Sequence, residues 1–258
     1  MGIYAGSYII EDAKTNQYVG TLMMVETGSS SLVYFVFAVI CGALLFILLH
    51  RLYISLLFTL LELAVISTTS SIFFYSLINP ILLSTLDSMV FAILGGMMFS
   101  VIKQLFPSLK NLAAMISSAG AGAVFGFTFG FITALVFLFI LAIYDYISVF
   151  KTKHMITMAN EIVERDMAFT ISAEKIVEKG KKSRLDLGTG DLSLPIMVSV
   201  AAYSISPLLS LFTLAGSTLG TLFVLFIAWK HHTVLPALPP ITAGIFIFSI
   251  ASIYLVIA

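Results

Sequence analysis

Charge is what this chain has least of. Only 10% of its 258 residues are Asp, Glu, Lys or Arg, against 60% apolar, and the mean hydropathy is +1.09. Soluble domains carry about 25% charged residues, so a water-soluble globule is excluded. The thirteen basic and thirteen acidic residues cancel, and nothing in the chain suggests a nucleic-acid partner. Cysteine occurs once, as Cys41 in mid-run among apolar neighbours, which excludes an internal disulfide and leaves no redox pair. Histidine is scarce too. His231 and His232 stand beside Trp229 and Lys230 as a boundary anchor, with no further Cys or His at ligand spacing, so neither a metal site nor a cofactor is expected. Phosphate-binding glycine loops, serine-nucleophile motifs and zinc motifs are missing. The first residues lack a basic start before an apolar core and do not read as a cleavable signal peptide.

What is present is a series of apolar runs. Their length of about twenty residues argues for helices rather than the roughly ten-residue alternating strands of a barrel. Eight spans are expected, at 31–49, 52–77, 81–102, 109–124, 128–150, 187–203, 208–229 and 234–258, giving an all-α polytopic membrane bundle. The stretch 109–150 would reach about 63 Å as one helix, twice a bilayer core, so it must turn. The region from Gly120 to Gly130 is the place for that turn, yet Gly122, Gly126 and Gly130 also have the small-xxx-small spacing of close helix packing. The sequence leaves the two readings open.

Two segments are polar. Residues 1–28, with Glu11, Asp12, Lys14 and Glu26, read as an extramembrane arm or loop. Residues 151–186 hold eight of the thirteen basic residues, and 155–167 has the apolar spacing of an amphipathic surface helix. If the spans alternate, Arg51, Lys103, Lys110, the 151–184 segment and Lys230 share one side and Lys14 alone lies opposite. By the positive-inside rule that face is cytoplasmic, with the N-terminal arm and the C-terminus outside.

Inside this apolar frame lie Asp145 and Asp191. An ionised carboxylate in hydrocarbon costs several kcal/mol and needs a partner, a wet cavity or a task. Counted from the cytoplasmic boundary, both acids lie roughly 7 to 11 Å deep, on helices of opposite direction, and Pro236, Ala237 and Leu238 on the last span reach the same level. Two carboxyls sharing a site do the chemistry of aspartic peptide hydrolysis, one drawing a proton from water while the other polarises the carbonyl. Their titrations would be coupled. Gly188 and Gly190 allow irregular backbone before Asp191, so that a substrate strand comes close, and Pro195 loosens the ladder after it. Pro236, Pro239 and Pro240 argue against a regular helix start and for a bent chain facing the site. Tyr144 orients a carboxyl or packs, packing being favoured.

As a set, Tyr144-Asp145, Gly188-Thr189-Gly190-Asp191 and Pro236-Ala237-Leu238-Pro239 resemble the presenilin and signal-peptide-peptidase family of intramembrane aspartyl proteases. The resemblance covers about 128–258. It implies Asp145 and Asp191 as catalytic residues, with Tyr144, Gly188, Thr189, Gly190, Pro236, Ala237 and Leu238 supporting substrate and site. It further implies transmembrane-helix substrates in a lipid bilayer. The chain then divides into the arm 1–28, scaffold helices 29–127 and a catalytic half 128–258 that the scaffold surrounds. Orientation and Pro239 resemble the presenilin side, and the short loops suggest a microbial, archaeal-type homologue in the cell membrane. Thr189 departs from the leucine usual between the two glycines, and eight spans from the family's nine, the first being the one not seen.

Two other classes compete. A prepilin-type peptidase shares the Gly-x-Gly-Asp signature but is not expected to carry Pro-Ala-Leu. A proton- or cation-coupled transporter would also use broken helices and buried acids, with Asp145, Asp191 and Glu62 as the relay. Internal repeats are not evident, however, and Glu62 reads as a packing residue satisfied by Ser or Thr hydroxyls, important to a transporter and unimportant to a protease.

Overall fold

A computed structural model describes residues 1–16, 41–42, 55–82, 84–152, 167–177, 181–231 and 235–257. The described helices are α1 (Gly2–Thr15), α2 (Ser55–Leu82), α3 (Thr85–Leu105), α4 (Lys110–Thr128), α5 (Phe131–Ile147), α6 (Thr189–Tyr203), α7 (Pro207–His231) and α8 (Leu238–Ile257). Strands β1 (Thr170–Val177) and β2 (Lys181–Gly188) form one antiparallel hairpin between α5 and α6. Among the described residues five helices are long and apolar enough to cross a membrane. The expected first span, 31–49, lies outside the described residues apart from Cys41 and Gly42, as does the amphipathic segment 155–167 apart from Met167.

The layers follow from which faces are small and apolar. Helices α2 and α3 pair and lean on α4; α4 packs along α6; α7 and α8 form a second pair against α6; and α5 closes the bundle against α8 and α6. The main apolar core lies between α5, α6, α7 and α8, around Leu138, Met197, Val198, Ala201, Ile241 and Ile245. The outward face of α3, with Leu86, Val90, Leu94, Met98 and Val101, remains apolar and exposed. A side turned to lipid has that composition, since hydrocarbon gives no reason to hide it.

The glycine region does both jobs that its sequence allows. The chain turns at Phe129 and Gly130, where Gly130 caps α5 in an extended conformation. Gly122 and Gly126 instead pack: a Cβ on Gly126 would stand 2.6 Å from the Met197 carbonyl and 2.5 Å from Val200, and one on Gly122 would meet Ile196 and the Ser193 carbonyl. Helix α4 therefore touches α6 at backbone distance.

Part of the N-terminal segment expected as an extramembrane arm or loop is helical. Residues 2–15 form a helix whose face of Gly2, Ala5, Gly6, Ile9 and Ile10 is buried against α4, α6 and α2. Its acid is internal: Tyr75 donates its hydroxyl to Asp12 at 2.6 Å, and Asn16 and Asn79 donate amides at 2.8 and 3.4 Å. With the carboxylate thus bonded, a charge that reads as a loop marker becomes a pin between α1 and α2. The Tyr203 hydroxyl, at the end of α6 remote from Asp191, donates to Glu11 at 3.1 Å.

The other difference is the hairpin, an addition to the expected all-α bundle. The span expected at 187–203 is strand to Gly188 and helix only from Thr189, so the Gly188-Thr189-Gly190-Asp191 motif straddles a strand-to-helix junction.

Candidate active site

Asp145 stands on the last regular turn of α5, an unbroken apolar sequence without Gly or Pro after its cap. Beyond it the helix widens into one π-type turn, Ser148–Thr152. The Asp145 side chain is buried, 4% exposed. Its partners are backbone amides at the start of α8: Leu238 N–H donates to Oδ2 at 3.1 Å, and the Ala237 amide donates to the same carboxyl group.

That arrangement explains the prolines differently from the sequence reading. Pro239 and Pro240 do not prevent a helix; they occupy its first turn, where amides have no intrahelical acceptor and a residue lacking N–H loses nothing. The first backbone bond back along α8 is the Ile241 amide to the Ala237 carbonyl, 3.4 Å. The donors left at this end are those of Ala237 and Leu238, and Asp145 accepts both. Pro236, Ala237 and Leu238 are all buried beside it.

Asp191 is the third residue of α6, with Gly188 as the helix cap in extended conformation. Its carboxylate folds back to accept the Gly188 amide, the acidic half of a capping box. A Cβ on Gly188 would lie 3.2 Å from Asp191 Oδ2, so the glycine leaves room for this return. Gly190 is exposed, and a Cβ there would meet nothing within 4 Å. Thr189 begins the helix. Its amide donates to the Phe169 carbonyl at 2.9 Å, and its own carbonyl accepts from the Ser118 hydroxyl at 3.3 Å. Pro195 is buried within α6.

The two carboxyl groups are close enough for their charges to act on one another. The structure thus brings together Asp145, Asp191, Gly188, Thr189, Gly190, Ala237 and Leu238, while Tyr144 is half-buried beside Asp145. An apolar groove of about 320 Å³ opens between α5 and α8, lined by Phe139, Ala142, Tyr146, Pro239, Thr242 and Phe246.

Residues 13–257 match the family described as "Signal-peptide peptidase, presenilin aspartyl protease". The chain belongs to this family. Its fold is shared with solved structures of a presenilin family intramembrane aspartate protease. For the C222 crystal form the identity is 21%, the TM-score 0.68, and the match covers 98% of this chain and 96% of the other. For the P2 form the identity is 20% and the TM-score 0.64, over 99% and 97%. No curated protein sequence matches significantly.

For this presenilin-family chain the sequence reading missed the hairpin that carries the Asp191 helix. A signal was present. Phe169, Ile171 and Ala173 alternate with Thr170 and Ser172, Leu185 and Leu187 flank Asp186, and Glu178, Lys179 and Gly180 lie between the two runs. Asn111 on α4 docks this hairpin by a reciprocal pair: its amide donates to the Ser172 carbonyl at 2.8 Å and its oxygen accepts the Ser172 amide at 2.9 Å.

Glu62 is also satisfied otherwise than expected. Among the described residues no hydroxyl serves it; Lys103 forms an ion pair with it, the Gln104 amide donates at 2.9 Å, and the Ala168 backbone N–H donates at 2.6 Å.

Proposed function

We propose that this family member hydrolyses peptide bonds within transmembrane helices of membrane proteins or signal peptides, with Asp145 and Asp191 as a Gly-x-Gly-Asp-type dyad. One observation carries the reading: a buried carboxyl held by the Ala237 and Leu238 amides, within charge range of a second carboxyl on a neighbouring helix. In the reaction one carboxylate takes a proton from water, the oxygen adds to the scissile carbonyl, and the other, protonated, carboxyl gives its proton to the carbonyl oxygen. Collapse of the tetrahedral diol expels the amine, which takes a proton from the first acid, and the second acid recovers its own. Water, peptide bond and dyad balance without any cofactor.

The neighbourhood supports a membrane-helix substrate. The groove between α5 and α8 is apolar and is lined by Tyr146 and Pro239, the chain neighbours of Asp145 and Leu238, so a helix can approach from the lipid side. Once unwound, the substrate has backbone to pair with along the edge of the hairpin that ends at Gly188. Thr189 and Gly190 stand where the substrate backbone would pass, and Tyr144 packs behind Asp145. The orientation that goes with this reading puts 151–186 in the cytoplasm and the C-terminus outside, in a microbial cell membrane.

The test is cleavage of a transmembrane peptide by the detergent-solubilised protein, parent against Asp145→Asn and Asp191→Asn. Both variants are expected to lose cleavage, and a mimic of the tetrahedral intermediate is expected to protect the parent. Cleavage by either variant at the parental rate refutes the dyad.

A further inference from the structure

Two opposite charges, Glu62 on α2 and Lys103 on α3, are paired away from the dyad at 3% and 4% exposure. Taking both from water costs several kcal/mol per ion before their attraction offsets it, so a buried pair is weak evidence for stability and calls for another explanation. Its bonds supply one. The Glu62 carboxylate accepts the Ala168 amide at 2.6 Å. One residue later the Phe169 carbonyl accepts the amide of Thr189, the first residue of α6, at 2.9 Å. Asp191 follows two residues on. The same segment is seated in apolar contacts of α2 and α4: Met167 packs with Phe58, and Ala168 with Ile66 and Ala113.

We infer that Glu62, balanced by Lys103, is a positioning residue for Asp191, holding through Ala168 and Phe169 the carbonyl that caps the Asp191 helix. This rests on the dyad reading above. A helix start has free amides and shifts easily unless an acceptor holds it. The Phe169 carbonyl is that acceptor for Thr189, and a bond from a charged carboxylate fixes it more firmly than a neutral one would. The gain is geometric: the scaffold half sets where one acid of the catalytic half stands. Glu62 therefore matters to a protease as well as to a transporter, contrary to the sequence-based expectation.

The experiment uses the full chain in detergent with three readouts: kcat and KM on a transmembrane peptide, thermal midpoint, and hydrogen exchange followed by mass spectrometry. Glu62→Ala is expected to lower kcat about ten- to hundredfold with KM within about twofold, the scale of an ångström-level misplacement. Exchange is expected to rise in 167–173 and 189–193 while 207–231 and 238–250 keep parental protection. The double variant Glu62→Gln with Lys103→Met removes both charges but retains an acceptor for Ala168, and is expected to restore most of both. If Glu62→Ala does not fold, Glu62→Asp, which draws the carboxylate back by one methylene, is read in the same way. Parental exchange at 189–193, or a rise spread evenly over every helix, overturns the inference. The exchange arm needs no turnover, so a parent that cuts no peptide refutes the protease reading while Glu62 is still judged.

Discussion

Replacing Asp145 by Asn or by Ala separates the catalytic role proposed for it from its structural one. Both variants abolish the proposed proton exchange with water, and both remove the charge that faces Asp191, so relief of that repulsion cancels between them. They differ in what they leave for α8. Asparagine keeps a side-chain oxygen for the Leu238 amide now bonded at 3.1 Å, whereas alanine leaves the Ala237 and Leu238 amides buried without an acceptor. An orphaned buried donor costs about 1–3 kcal/mol, so Asp145→Ala, which lacks the oxygen that asparagine keeps for Leu238, is expected to be less stable than Asp145→Asn by about 1–3 kcal/mol. At about 2–4 °C per kcal/mol for a chain of this size, its thermal midpoint in detergent falls below that of the asparagine variant by several degrees. The assay is a parallel melt of parent and both variants, followed by refolded-sample controls for aggregation, since irreversible unfolding makes the midpoint depend on scan rate. Equal midpoints for the two variants would refute the argument that Asp145 caps α8.

Two further outcomes follow from local geometry. Gly190→Ala meets nothing within 4 Å and is expected to fold as well as the parent, gaining up to about 1 kcal/mol from helix propensity, yet to lower kcat/KM because the new methyl stands where an extended substrate passes; unchanged peptide cleavage removes that role. Tyr75→Phe deletes the 2.6 Å bond to Asp12 and is expected to cost about 1–3 kcal/mol, with faster hydrogen exchange confined to 2–15; a parental exchange pattern there means that α1 does not depend on this pin.

The membrane helices were legible because an apolar run of bilayer length has few other uses, and the turn near Gly130 because one helix cannot be twice a bilayer long. Asp145, Asp191 and the Ala237-Leu238 pair were legible as co-level features for a related reason: polar groups stand out against hydrocarbon, and rise per residue converts spacing into depth. The backbone of the site was less so. Prolines advertise a missing amide, but which amides remain, and that Asp145 takes them, depends on how α5 meets α8. Helix α1 was read as an arm or loop because Glu11, Asp12 and Lys14 look solvated, and two of the three groups bonded to Asp12 lie on α2, more than sixty residues away. Glu62 failed in the same way, since its partners at Lys103 and Ala168 are distant in the chain. Its carboxylate was visible; its engagements were not.

Among the described residues, the contacts given to Asp145 are peptide dipoles rather than a cationic side chain. A counter-ion at an aqueous surface competes with dissolved electrolyte, which screens it over about 8 Å at physiological strength. Amides fixed at a helix start inside the bundle have no mobile competitor. Adding sodium chloride to the bath thus leaves the grip on this carboxyl unchanged, and any ionic-strength dependence of turnover originates elsewhere, at the headgroups or in the polar flanks of the incoming polypeptide.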